Sequence, residues 1–238
     1  MKDLLNFRYE EYPFELFSLS HIYAVILMLV IISLMYLYRN RLTGVSEKAI
    51  RWILISLMAA GEVFFHVWYA VNDVWSLAIN LPFQLCSISL YLCIIMLLTR
   101  NRLLFEITFF ASMTGAFVAM VTPELFFGFP HIRYFQFFIV HSSIVLSCFY
   151  MVWIEGFTVT IFSPLKSFLA LNIIAAGVYG MNILLGANYM FLTHKPFNPS
   201  PIDYLGEYPW YLISLESISF FLFYLIYIPF HIRKIVKK

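Results

Sequence analysis

A thiol, two imidazoles and two carboxyls stand inside long apolar runs of this chain: Cys86, His66, His141, Glu62 and Glu216. A carboxylate near mid-bilayer costs roughly 2.5–3.5 kcal/mol, so each acid is expected to face a bundle interior or a wet cavity. A thiol and an imidazole at matched depth suit nucleophilic acyl transfer. His takes the proton, Cys attacks a carbonyl, a thioester forms, and an alcohol or water resolves it. Such a His needs an orienting partner, and Glu62, Glu216 and Asn182 are candidates. Glu62 and His66 lie one helical turn apart and share a face. The same carboxyl and imidazole groups also suit proton or cation coupling in a transporter, or a structural pair. These residues have plainer readings: an intramembrane His or Gln, such as Gln84 or Gln136, often only bonds a neighbouring helix, and a membrane Cys is most often a small apolar residue.

The elements that would position these groups follow from composition. Of 238 residues, 62% are hydrophobic and 12% charged, against about 25% charged in soluble domains. Lipid must therefore be the solvent for most of the chain. Seven runs, near 18–38, 49–71, 78–98, 103–122, 134–154, 165–190 and 209–230, are long enough to cross about 30 Å of hydrocarbon. The expected fold is an all-α bundle of seven transmembrane helices over 18–230, preceded by an extracytoplasmic segment 1–17 and followed by a basic tail 231–238. Arg39, Arg41, Lys48, Arg51, Arg100, Arg102, Lys166, Arg233, Lys234, Lys237 and Lys238 fall on one side; only Lys2, Arg8, Arg133 and Lys195 fall on the other. The positive-inside rule then puts the N-terminus outside and the C-terminus in the cytoplasm, which an odd number of spans requires. The N-terminal residues lack the basic and apolar regions of a cleavable signal, so the first span is expected to act as the targeting signal. Cys86, Cys93 and Cys148 lie in apolar runs, which argues against a disulfide framework or a zinc site; no metal, cofactor or nucleic-acid partner is expected.

With that orientation Cys86 lies roughly 12 Å from the outer end of its span, and His141, Glu62, His66, Glu216, Gln84, Gln136 and Asn182 join it in one outer layer. A cavity open to the outer leaflet is expected there, reached laterally by a lipid. Asn80 and Pro82 read as the cap and first turn of span three, with Cys86 just beyond that turn. Glu106, near the inner end of span four, is expected to snorkel to water. The outer stretch 191–208 is either a lid or a connector. Against transport, the polar groups form no track to the cytoplasm, and Asn172 is the lone deep candidate. A seven-helix sensor is the third reading, although no output surface is evident.

Four segments carry a resemblance: LPFQLCSISL from Leu81 to Leu90, QFFIVH from Gln136 to His141, GANYM from Gly186 to Met190 followed by Lys195 and Pro196, and YPWY from Tyr208 to Tyr211. In order along the chain, they resemble a bacterial integral membrane family typified by YwaF, which looks related to the transmembrane protein 164 acyltransferases and more distantly to the androgen-induced lipid hydrolases. The resemblance implies a plasma-membrane acyltransferase or acyl-lipid hydrolase acting on phospholipid donors and acceptors. In the animal acyltransferase a Cys on one span and a His about two spans later carry the transfer, and Cys86 and His141 match them in order. Many YwaF-like sequences have His where this chain has Gln84.

Overall fold

The computed structural model describes residues 4–196 and 200–236, with side chains described as far as Ile232. Lys2, Lys237 and Lys238 of the charge count, and 197–199 of the outer stretch, lie outside the described residues. Among those residues the protein is all-helical apart from one isolated bridge: α1 (Leu19–Tyr38), α2 (Val45–Val71), α3 (Leu85–Thr99), α4 (Arg102–Val121), α5 (Ile132–Trp153), α6 (Ser163–Leu185) and α7 (Trp210–Val236), with short 3-10 turns between. Six of the helices are long and apolar enough to cross a membrane; α3, at 15 residues, is shorter.

Helix α2 begins at Val45, four residues before the expected span, and α7 runs on to Val236, into the expected tail. Two further boundaries move together. Asn80 does not start span three: its Oδ1 accepts from Ser76 N, closing a turn, and α3 begins after Gln84. Residues 77–81 are held outside the helix by Tyr189, whose hydroxyl donates to Leu77 O and accepts from Leu81 N. Span six stops short of 190, at Leu185, because Gly186 takes the left-handed conformation that ends helices. Asn182 then reaches forward, accepting from Tyr189 N and donating to Tyr189 O. The α6 end thus builds the turn whose Tyr189 shortens α3.

The core is organised around α5, two-thirds of whose apolar window is buried. It packs on α2, α4 and α3, and α4 in turn carries α6 and α7. The α2–α5 approach depends on Gly61, where a Cβ would collide with Val140. On α4, Phe109 and Phe110 meet Phe230 and Phe223 of α7 edge-on or tilted. Burial of such rings contributes the bulk of the packing energy.

The two ends of the bundle are closed differently. At the end carrying the α1–α2, α3–α4 and α5–α6 connections, buried Glu155 takes Arg100 at 3.2 Å, Arg51 at 3.7 Å and the Tyr150 hydroxyl at 2.9 Å. Glu106 does not snorkel. Its side chain is 5% exposed and clamped by Lys166 at 2.6 Å and Arg102 at 3.4 Å, because the cation from α6 reaches it before water does. At the opposite end the N-terminal segment folds across the helix ends. Trp68 Nε1 donates to Leu5 O, His131 Nε2 bonds Asn6 O, and Gly128 N donates to Tyr12 O. Phe7 fills the space between Trp68, Tyr69 and Phe127.

Candidate functional site

The helix that carries Cys86 starts one residue before it. With Gln84 as the N-cap, Cys86 is the second residue of α3, inside the first turn rather than beyond it. Backbone N–H groups of a first helical turn have no intrahelical acceptor and carry the positive end of the helix dipole. Cys86 is half-buried, and its thiol is electrostatically coupled to Glu124 on the α4–α5 connection. Partial burial pushes the Glu124 carboxyl up from its ordinary value. Glu124 had no sequence signal beyond an acid following Pro123, and only the fold brings it to Cys86.

His141 is buried near the middle of α5. Its Nδ1 lies 2.8 Å from Phe137 O, and its ring stacks on Phe137 with centroids 4.0 Å apart. A carbonyl can only accept, so Nδ1 carries the proton and Nε2 presents its lone pair. The orienting partner of His141 is therefore its own helix backbone, not Glu62, Glu216 or Asn182.

Register relates the two residues. Helices α3 and α5 run parallel: Arg100 just past the α3 end pairs with Glu155 just past the α5 end. Along their interface Cys93 and Cys148 interact, both fully buried, and Cys93 Sγ donates to Ser112 Oγ at 3.7 Å. Seven residues towards the N-terminus of each helix stand Cys86 and His141. Seven residues are two helical turns with a drift of only about 20°. The pair thus repeats the Cys93–Cys148 register about 10 Å further up the same interface.

Glu62 and His66 form a second group beside it. His66 Nε2 lies 3.4 Å from Glu62 Oε1, as their one-turn spacing requires. Trp75 Nε1 donates to His66 Nδ1 at 3.1 Å, which places the imidazole proton on Nε2, facing the carboxylate. Tyr91, from α3, donates to Glu62 Oε1 at 3.1 Å. Arg133 on α5 feels the same carboxylate but, among the described residues, closes no ion pair. Its guanidinium lies over the rings of Phe65, Trp68 and Tyr69, hydrogen-bonds Gln136 Oε1 and leaves Nε buried without an acceptor. Gln136 in turn donates to Gly61 O. Tyr91, Trp75 and Arg133 were not singled out from the sequence, since exposed aromatics and a span-end cation carry no distinctive spacing.

The remaining expected site residues sit elsewhere. Gln84 Oε1 accepts from Met190 N at 2.9 Å, so with Asn182 it holds the turn after α6. Glu216 does not join the α2–α3–α5 groups: its Oε2 accepts from Asn172 of α6 at 2.9 Å. The single outer layer expected from depth is therefore three separate groups plus a structural turn. Equal depth places side chains on one level but not on one side of the bundle.

The TMEM164 family model matches residues 16–227, from just before α1 to within α7, and the chain belongs to that family. No curated protein and no solved structure matches it.

Proposed function

From a multi-pass helical chain of the TMEM164 family, we propose a membrane-embedded lipid acyltransferase or acyl-lipid hydrolase with Cys86 as nucleophile and His141 as base. The observation that carries this reading is the register of α3 against α5, which sets thiol and imidazole at one level of one interface. His141 Nε2, left as the acceptor by the Nδ1 bond to Phe137 O, takes the Cys86 proton. The thiolate attacks an ester carbonyl of a phospholipid or related acyl lipid. The C–O bond breaks, and the leaving alcohol takes the proton back from His141. An acceptor alcohol or water then attacks the thioester, with His141 again as base, and the thiol is restored. The free N–H groups at the start of α3 are placed to receive the developing oxyanion. Glu62 and His66, joined by Tyr91, border this site and orient the lipid head.

We further read α3 as the seventh span, completed by the non-helical residues 76–84. The basic end faces the cytoplasm and the N-terminus faces outside, in the plasma membrane of a bacterium, as for YwaF-like proteins. The site then opens towards the outer leaflet.

Thiol labelling in membranes with a lipid-like electrophile tests the reading on wild type, Cys86→Ala, Cys93→Ala and His141→Ala. Labelling is expected to vanish with Cys86→Ala, fall with His141→Ala and survive Cys93→Ala. Equal labelling of all four folded proteins makes Cys86 a packing residue and turns attention to the intramembrane carboxyls as proton-coupling groups.

A further inference from the structure

Glu216 and Asn172 remain outside the acyl-transfer reading. They lie well inside α7 and α6, more than a turn from either helix end. Asn172 spends both amide hydrogens, one on Phe168 O at 3.0 Å and one on Glu216 Oε2 at 2.9 Å. Among the described residues, Asn172 Oδ1 and Glu216 Oε1 have no donor. The carboxyl lines an open groove of about 460 Å³ between the two helices, walled by Phe168, Leu212, Ile213, Ser217 and Phe220. Ser217 cannot fill the deficit, because its hydroxyl is turned back to Ile213 O. Ile213 and Phe220 are themselves exposed, so the groove opens on the outside of the bundle, where hydrocarbon lies.

Two oxygen acceptors without donors define what would fit: Glu216 Oε1 in an apolar groove at membrane depth, and Asn172 Oδ1 on the residue bonded to that carboxyl. An anionic head is repelled by the carboxyl. A phosphodiester or other permanently charged head does not descend into hydrocarbon without its own partner. An apolar chain alone leaves both oxygens unsatisfied, a state that costs more in hydrocarbon than in water. A small uncharged head with hydroxyl donors satisfies them while its chain covers Phe168, Leu212 and Phe220. A groove of this volume suits one acyl chain and such a head. We propose that the α6–α7 groove is a binding site for a lipid alcohol of the acylglycerol type, held by donation to Glu216 and Asn172. The site does not depend on Cys86 or His141.

The test uses the full chain in phosphatidylcholine nanodiscs and a monoacylglycerol carrying a photoactivatable diazirine in its acyl chain. Its di-O-methyl ether, which has the same chain and no donor, is the control. Adducts are mapped by peptide mass spectrometry on wild type and on Cys86→Ala, which cannot consume the probe by acyl transfer. The alcohol is expected to label the α6 and α7 peptides around Phe168 and Phe220 about fivefold more than the ether, the weight of roughly one net hydrogen bond. Glu216→Leu is expected to remove that preference. Phe220→Trp fills the groove from an exposed position without touching the polar pair, and is expected to lower labelling by both probes. Labelling equal for alcohol and ether in wild type, or unchanged in Phe220→Trp, overturns the proposal. So does an adduct pattern dominated by links to a second copy of the chain, which would make the groove a subunit contact. Loss of labelling in Cys86→Ala alone would mean that the probe had been captured at the acyl-transfer site instead.

Discussion

The two ends of this bundle hold their charges in opposite ways. At the basic end every buried carboxylate is met by more than one cation: Glu155 by Arg51 and Arg100, Glu106 by Lys166 and Arg102. At the other end, among the described residues, Glu62 meets an imidazole and a phenol, and Arg133 meets rings and an amide. Arg133 and Glu62 feel each other without closing into a pair. Compensated charge fixes helix ends against one another, whereas charge left partly uncompensated is free to act on something that binds. The basic end is thus where the bundle is tied, and the opposite end is where the proposed acyl transfer would take place.

The largest expected effect tests the tied end. Glu155→Ala strands the Arg51 guanidinium, with only 15% of its side chain exposed, and leaves Arg100 with only Glu47 at 3.9 Å among the described residues. A loss of roughly 3–5 kcal/mol is expected from removing one partner of a buried network. Glu106→Ala should cost less, because Lys166 and Arg102 can turn to water. Thermal unfolding in detergent ranks the two, and a Glu106 effect exceeding that of Glu155 would contradict the account of the tied end.

The opposite end depends on close contact instead. Gly61→Ala forces a methyl group into Val140 where α2 crosses α5, and about 1–3 kcal/mol of overpacking is expected. Val140→Ala in the same chain should recover most of that loss. Without recovery, the Gly61 effect comes from the Gln136 bond to its carbonyl and not from the crossing.

Much of this architecture could be read from the sequence. Apolar runs located each of the seven α-helices, and for α1, α4 and α5 the ends agree to within two residues, because a membrane-spanning segment must satisfy its backbone internally. The misplaced start of α3 and end of α6 share a cause. Hydropathy ran straight through Leu81–Gln84 and through 186–190, since those residues are apolar or weakly polar, and only Tyr189, distant in sequence, converts both into turns. For the candidate site, spacing paired Glu62 with His66 because both lie on one helix. It could not pair Glu216 with Asn172, or place Glu124 beside Cys86, because these meetings depend on which helices pack together. Depth along each span was legible, but direction around the bundle was not.

A smaller effect concerns how the N-terminal segment is docked. His131 Nδ1 accepts from Arg133 N as the α5 cap, so Nε2 holds the proton given to Asn6 O. Its ring stacks on Phe127 and meets Trp68 edge-on. Desolvation lowers its pKa, the Asn6 bond partly opposes that shift, and Arg133 adds to it. With the docked value below the free value of about 6.5, the undocked state binds more protons in that window. Docking is therefore fully supported above about pH 6.5 and weakens as pH falls through the docked value. The cap is worth about 1 kcal/mol. Protection from hydrogen exchange at residues 4–14, taken relative to the intrinsic rate at each pH, should fall between pH 7.5 and 5.5, and His131→Asn, which retains a cap acceptor but does not titrate, should flatten that response. Exchange that is equally pH-sensitive in the variant would assign the effect to another group.

The smallest expected effect is the most decisive for the comparison. Arg133 is 8% exposed, and a buried cation of that kind would ordinarily be expensive to disturb. Here Arg133→Met removes no ion pair. It forfeits contact with three rings, about 0.5–2 kcal/mol, and one bond to Gln136. In return it relieves the desolvation of a guanidinium whose Nε has no acceptor, a gain that offsets losses of this size when a similar apolar volume takes its place. Unfolding stability should therefore stay within about 1 kcal/mol of wild type, against several for Glu155→Ala. If the Arg133 variant unfolds as readily as the Glu155 one, the opposite end is tied by its cation as firmly as the basic end is by its carboxylates. The contrast between a structural end and a chemical end would then be lost.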